Sequence, residues 1–194
     1  MTSPGLREKK KARTRRTIRE NALRLFAAQG FDPTTVDQIA DAAGVSPSTF
    51  FRYFATKEHL VVDDASDPWM VEAAERLPEG VAPITGIRTA ILAVMAEVDE
   101  PRDDMLLATR LAFTEPALRA QRMNHVFATQ EAVAGVLTAR LGRDPGDLEV
   151  ATFAAAAVGA WGSALWAWAR EEGRRPLADY VDRAMGFLEA GLEL

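Results

Sequence analysis

The chain has 194 residues, 48% of them hydrophobic and 26% charged, with a formal net charge of −5 and no cysteine. That length suits a small module joined to a larger domain with its own core, and the composition is ordinary for a soluble protein. Disulfides and thiolate metal sites are excluded, and His59 and His125 stand in no metal-ligand spacing.

Charge divides the chain. Residues 1–60 carry 11 basic and 6 acidic side chains, leaving 12 and 22 for the remainder. Clustered Lys and Arg bind polyanions by releasing condensed counterions, so the N-terminal part suits a nucleic-acid duplex and the acidic remainder avoids one. Residues 1–11 read as a basic, disordered arm. No continuous apolar run follows them, so they form no secretory signal, and the cytoplasm is the expected location.

Residues 12–62 read as a helix-turn-helix unit. Ile18, Ala22, Leu25 and Phe26 form the core stripe of a first helix that Gly30 ends. Next comes Val36 to Phe54, VDQIADAAGVSPSTFFRYF, which predicts two short helices around a glycine turn. Thr35 caps the first and Gln38 completes a capping box, while Val36, Ile39, Ala40 and Ala43 repeat at helical spacing. Gly44 supplies a positive φ, Ser46 caps the second helix and Pro47 opens it. Phe50 and Phe54 point inward with Val45. Ser48, Thr49, Arg52 and Tyr53 are left outward, where short polar side chains can approach base edges, and Phe51 can lie against the sugar-phosphate wall.

The segment NALRLFAAQGFDPTTVDQIADAAGVSPSTFFRYFATKEHL resembles the DNA-binding domain of TetR-family transcriptional repressors. The likeness rests on the LFAAQGF helix end, the Thr-Val-x-x-Ile-Ala-x-x-Ala-Gly-Val run, the Thr-Phe-Phe-x-Tyr-Phe helix and the following Lys-Glu pair. It implies DNA-contacting roles for Thr35, Pro47, Ser48, Thr49, Phe51, Tyr53 and Lys57. Ser46 and Arg52 complete the candidate set by their places on the second helix. Phe51 stands where many family members carry Tyr, and Asp37 sets an acid where a basic or polar contact is frequent.

Residues 63–194 are expected to form a helical effector-binding and dimerisation domain, making the fold all-α. A fourth helix should start near Thr56 and bend or break at Pro68. Ile84, Ile87, Ile91, Val94, Met95 and Val98 mark another helix, a short one runs to about Phe113, and Pro116 opens a long one ended by Gly142. That long helix should pack through Met123, Val126, Phe127, Gln130, Val133, Ala134, Leu137 and Leu141. Val150 to Ala169 is uncharged and long enough to span a membrane, but its Ala and Gly content favours a helix buried in a soluble dimer. The seams Ala151, Ala155, Val158, Gly162, Leu165, Ala169 and Leu177, Val181, Ala184, Leu188, Gly191 predict a homodimer through the last two helices.

Met95, Met105, Phe113, Met123, Phe127 and Trp161 are the candidate walls of a pocket for a small, largely hydrophobic effector, with Arg110, Asn124 and His125 as polar groups nearby. No Gly-rich phosphate loop or nucleophile elbow is present, so neither an enzyme nor a cofactor is expected. The expected function is a ligand-responsive repressor that binds an inverted-repeat DNA operator as a homodimer. The alternative is a sequence-nonspecific or architectural DNA-binding dimer.

Overall fold

The computed structural model describes residues 5–62, 67–97, 102–144 and 146–192, and every regular element among them is helical. The order is α1 (Leu6–Gln29), α2 (Val36–Ala42), α3 (Pro47–Tyr53), a 3-10 turn (Glu58–Leu60), α4 (Pro68–Glu75), α5 (Pro83–Glu97), α6 (Arg102–Thr114), a second 3-10 turn (Pro116–Leu118), α7 (Arg119–Leu141), α8 (Leu148–Arg170) and α9 (Leu177–Glu189).

Two apolar cores organise these helices. The smaller joins Ile18, Ala22, Leu23, Phe26, Phe31, Ile39, Ala40, Phe50, Phe54 and Leu60. Ala108, Leu111 and Leu118 close it, so α6 and the turn before α7 form part of its wall. The larger core is built by α4, α5, α7, α8 and α9 around Met70, Ile87, Ile91, Val133, Leu137, Trp161, Trp168, Val181 and Met185. Gly86 permits its tightest approach, because a Cβ there would overlap the Leu77 side chain. The expected division near residue 62 is therefore interdigitated in space, with α6 shared by both halves.

Several expectations change. The basic segment read as a disordered arm is helical from Leu6, since α1 continues without a break ahead of its core stripe. No long fourth helix starts at Thr56. The chain makes one 3-10 turn, and α4 begins at Pro68 with Asp67 as its N-cap. Proline is an opener there, because its missing N–H falls where a helix needs none. The linking residues 63–66 lie outside the described residues, as does Val98.

On α7 the buried side is set by Thr129, Val133, Leu137 and Thr138, whereas Met123, Phe127 and Leu141 are exposed. Both threonines enter the core by donating to the carbonyl four residues back, Thr129 to His125 and Thr138 to Ala134, each at 2.7 Å. Helix α8 is long and apolar enough to cross a membrane by length and composition, and here it packs against α6, α7 and α9. Of the expected dimer seams, Val158, Ala169, Leu177 and Val181 are buried within this protomer. Thr152, Gly159, Ser163 and Phe187 remain exposed on the same two helices, and a Cβ added at Gly159 or Gly162 would meet nothing within 4 Å.

Candidate nucleic-acid interface

The geometry of α2 and α3 follows from local chemistry. Thr35 Oγ1 accepts the Gln38 N–H at 3.2 Å, and Gln38 Oε1 accepts the Thr35 N–H at 3.0 Å, so the box holds both ends of the first turn. Gly44 adopts φ +65° in the turn. Val45 N–H then donates to Ala40 O at 3.0 Å, which fixes the angle at which α3 departs. Ser46 Oγ accepts the Thr49 N–H at 3.1 Å, and Pro47 occupies the first helical turn.

Phe50 and Phe54 anchor α3 from beneath, their ring centres 5.8 Å apart. This leaves Ser46, Pro47, Ser48 and Arg52 exposed, with Phe51 55% exposed. Ser46 Oγ lies 2.9 Å from Ser48 Oγ and donates to Thr49 Oγ1 at 3.0 Å, so three hydroxyls cluster at the start of the helix. Such a group both donates and accepts, as base edges require. Thr35 is exposed at the adjoining start of α2. Tyr53, read as an outward residue, is half-buried and packs against the smaller core, with the Arg52 guanidinium 5.3 Å from its ring centre.

Lys57 is placed differently from the expectation. Its ammonium donates to the carbonyls of Phe31, Asp32 and Thr34 at 2.9, 3.0 and 3.2 Å and sits 4.5 Å from the Phe31 ring centre. Three acceptors use all three of its donors, so Lys57 pins the loop between α1 and α2 and offers no free proton to a phosphate. Two residues that the sequence places only within the basic cluster do similar work. Arg15 Nη1 donates to Tyr53 O at 3.0 Å with its guanidinium 4.5 Å from the Phe54 ring centre, and Arg19 Nε donates to Leu60 O at 3.2 Å. These contacts span 38 and 41 residues, so spacing carried no sign of them.

The six effector candidates do not converge on one cavity. Trp161 is buried and donates from Nε1 to Asp67 Oδ2 at 3.0 Å, and Met95 and Met105 are half-buried against the larger core. Phe113 stacks on Trp166 at 5.0 Å between ring centres, with the Arg122 guanidinium 4.8 Å from its own ring centre. Met123 and Phe127 are exposed on α7. A groove of about 770 Å³ lies elsewhere, between the C-terminal half of α7 and the start of α8, with Ala134, Gly135, Thr138, Ala139 and Ala151 among its lining. Of the polar candidates, His125 approaches Asp67 at 3.9 Å, and Arg110 and Asn124 are exposed.

A capped two-helix unit that exposes a polar helix face, set on a basic first helix and joined to a larger helical domain, defines a helix-turn-helix DNA-binding regulator. Residues 18–63 match the family of bacterial regulatory proteins named tetR, and residues 81–193 match the MftR C-terminal domain of TetR proteins. The chain belongs to the TetR family of transcriptional regulators.

Among its relatives, the HTH-type transcriptional regulator TcmR of Streptomyces glaucescens is 36% identical over 152 residues, covering 74% of this chain and 67% of that one. MftR of Mycobacterium tuberculosis, named for mycofactocin biosynthesis, is 27% identical over 187 residues, covering 95% and 94%. In fold the chain is similar to the Thermus thermophilus repressor FadR, solved with lauroyl-CoA, with a TM-score of 0.53 and 22% identity over 93% of this chain and 95% of that one.

Proposed function

We propose that this regulator is a homodimeric, ligand-responsive repressor that binds an inverted-repeat operator through α3 and leaves it when a small apolar effector occupies the C-terminal domain. The observation that carries the reading is the hydroxyl cluster of exposed Ser46 and Ser48 with half-buried Thr49, on a helix locked from beneath by Phe50 and Phe54. One such helix reads few bases, whereas two related by a twofold axis about 34 to 36 Å apart address successive major grooves. The exposed face of α8 and α9, with Gly159 and Phe187, supports pairing through those helices.

The effector reading draws on two features of the C-terminal domain and on the lauroyl-CoA bound by FadR. Nε1 of buried Trp168 and Nε of Arg122 have no acceptor among the described residues, and an apolar effector bearing one acceptor group would satisfy either donor. A route to the reader runs through Asp67. Its carboxylate caps α4 through Trp69 N–H and Met70 N–H and accepts from Trp161 on α8, while its own N–H donates to Thr129 on α7 at 2.8 Å. Any effector that repacks Trp161 would therefore move the first residue of the C-terminal domain described after the linker. A coupling of roughly 1 to 3 kcal/mol would change operator affinity about 5- to 150-fold.

Selecting duplexes from a random pool with the purified chain tests the reading. Enrichment of an inverted repeat bound by two chains is the expected result. Enrichment of no sequence, with steep salt dependence, would establish the nonspecific DNA-binding alternative instead.

A further inference from the structure

Helix α1 begins at Leu6, about three turns before Ile18, and from Lys10 onward Ile18 is the first residue it buries. Over Lys10 to Thr17 the sequence KKARTRRT presents no apolar stripe, and Lys10, Lys11, Arg13, Arg15 and Arg16 are exposed. A stretch polar all round holds its charges toward solvent, where a polyanion can meet them.

Its placement indicates which partner. Lys11, Arg15 and Arg19 recur every four residues and share one face. Arg15 and Arg19 on that face bond Tyr53 O at the end of α3 and Leu60 O. The ridge is thereby turned toward the recognition helix, and Lys11 lies one helical turn, about 5 to 6 Å, beyond the bond that fixes it. Arg52, exposed in the last turn of α3, extends the same basic flank. Arg13 points to the other side of α1, and Arg16, which flanks the ridge, has its guanidinium paired with Glu20 at 2.8 Å. The ridge has no apolar side chain with which to enter a lipid surface, which favours a duplex over a membrane.

We propose that the Lys11–Arg15 ridge of α1 is a second DNA contact, gripping the phosphate wall beside the groove that α3 enters. The contact positions the reader and carries no sequence information. This inference rests on the DNA-binding reading of α3, and the two can fail separately.

The test measures the salt dependence of binding for the full chain, Lys11→Gln and Arg13→Gln, on the selected duplex and on a scrambled one. Glutamine keeps the helix, which circular dichroism verifies. Lys11→Gln should lower the slope of log affinity against log salt by about 0.9, so a fourfold rise in salt costs it about 3.5-fold less affinity than it costs the parent. Its preference between the two duplexes should not change, and Arg13→Gln should keep the parent slope. An unchanged slope for Lys11→Gln, or an equal fall for Arg13→Gln, overturns the ridge while leaving α3 intact as reader. Absence of binding to any duplex by the parent chain overturns both.

Discussion

The two cores of this protein differ in how they are specified. The smaller one, from Ile18 to Leu60 with three side chains lent by α6 and the following turn, holds two helices whose caps and turn act within a few residues. A threonine caps with a glutamine three residues on, a glycine turns the chain and a serine caps the next helix. The larger core is set by helices packing at long range, α8 on α9, α5 on α9 and α4 on α7. Local rules shape the reading helices, whereas long-range packing shapes the body, and α6 ties the two together.

The sharpest way to break the local unit is Phe50→Ala. This side chain is fully buried beneath α3, and truncation should cost about 3 to 5 kcal/mol. Urea unfolding followed by helicity would show it, together with lost DNA binding. Survival of a stable reader after that change would mean that α3 is held by something other than its aromatic underside.

Asp67→Ala probes the long-range unit next. It removes the α4 cap and leaves Trp161 Nε1–H buried without an acceptor, together worth about 2 to 4 kcal/mol. Asp67→Asn, which can still accept through its amide oxygen, should cost less. Thermal unfolding with Trp fluorescence as the probe distinguishes the pair, and equal losses would contradict the role given to the carboxylate.

Lys57→Met should weaken the reader by about 2 kcal/mol, because three carbonyls lose a charged donor. Its effect on DNA affinity should follow that loss of stability and show no change in salt slope. A slope reduced by about 0.9 in a fully folded variant would instead restore Lys57 to the phosphate contacts.

The smallest expected effect concerns acid. Hydrogen bonding from Arg88 holds Asp182 below its ordinary 3.8, and Thr85 together with Arg88 holds Glu189 below its ordinary 4.5. Groups lowered in the folded state contribute stability above their unfolded values and lose it as pH falls through the folded ones. The α5–α9 contact should therefore weaken below about pH 4.5, and Arg88→Gln should flatten that part of the melting-temperature profile. Identical acid profiles for parent and variant would remove Arg88 from the account.

What could be read in the sequence follows the same division. Thr35, Gln38, Gly44, Ser46, Pro47, Phe50 and Phe54 were legible because each acts on neighbours within a turn or two. Lys57 was misread because the carbonyls it caps lie 23 to 26 residues away. The start of α4 was legible but misread. Asp67 followed by Pro68 is a helix-opening pair, in which the proline starts the helix that Asp67 caps. On α7 the apolar stripe was drawn through Met123 and Phe127, whereas two threonines turn the buried side by bonding their own helix. Two of the six effector candidates, Met123 and Phe127, belong to that stripe and lie exposed with it.

The most direct test of the central claim compares Ser48→Ala and Thr49→Ala with the parent chain on the selected duplex and on a scrambled one, at fixed salt. Each should lower the affinity ratio between the two duplexes by the equivalent of about 1 to 3 kcal/mol, with binding to the scrambled duplex unchanged. An unaltered ratio in both folded variants would mean that α3 does not read the bases.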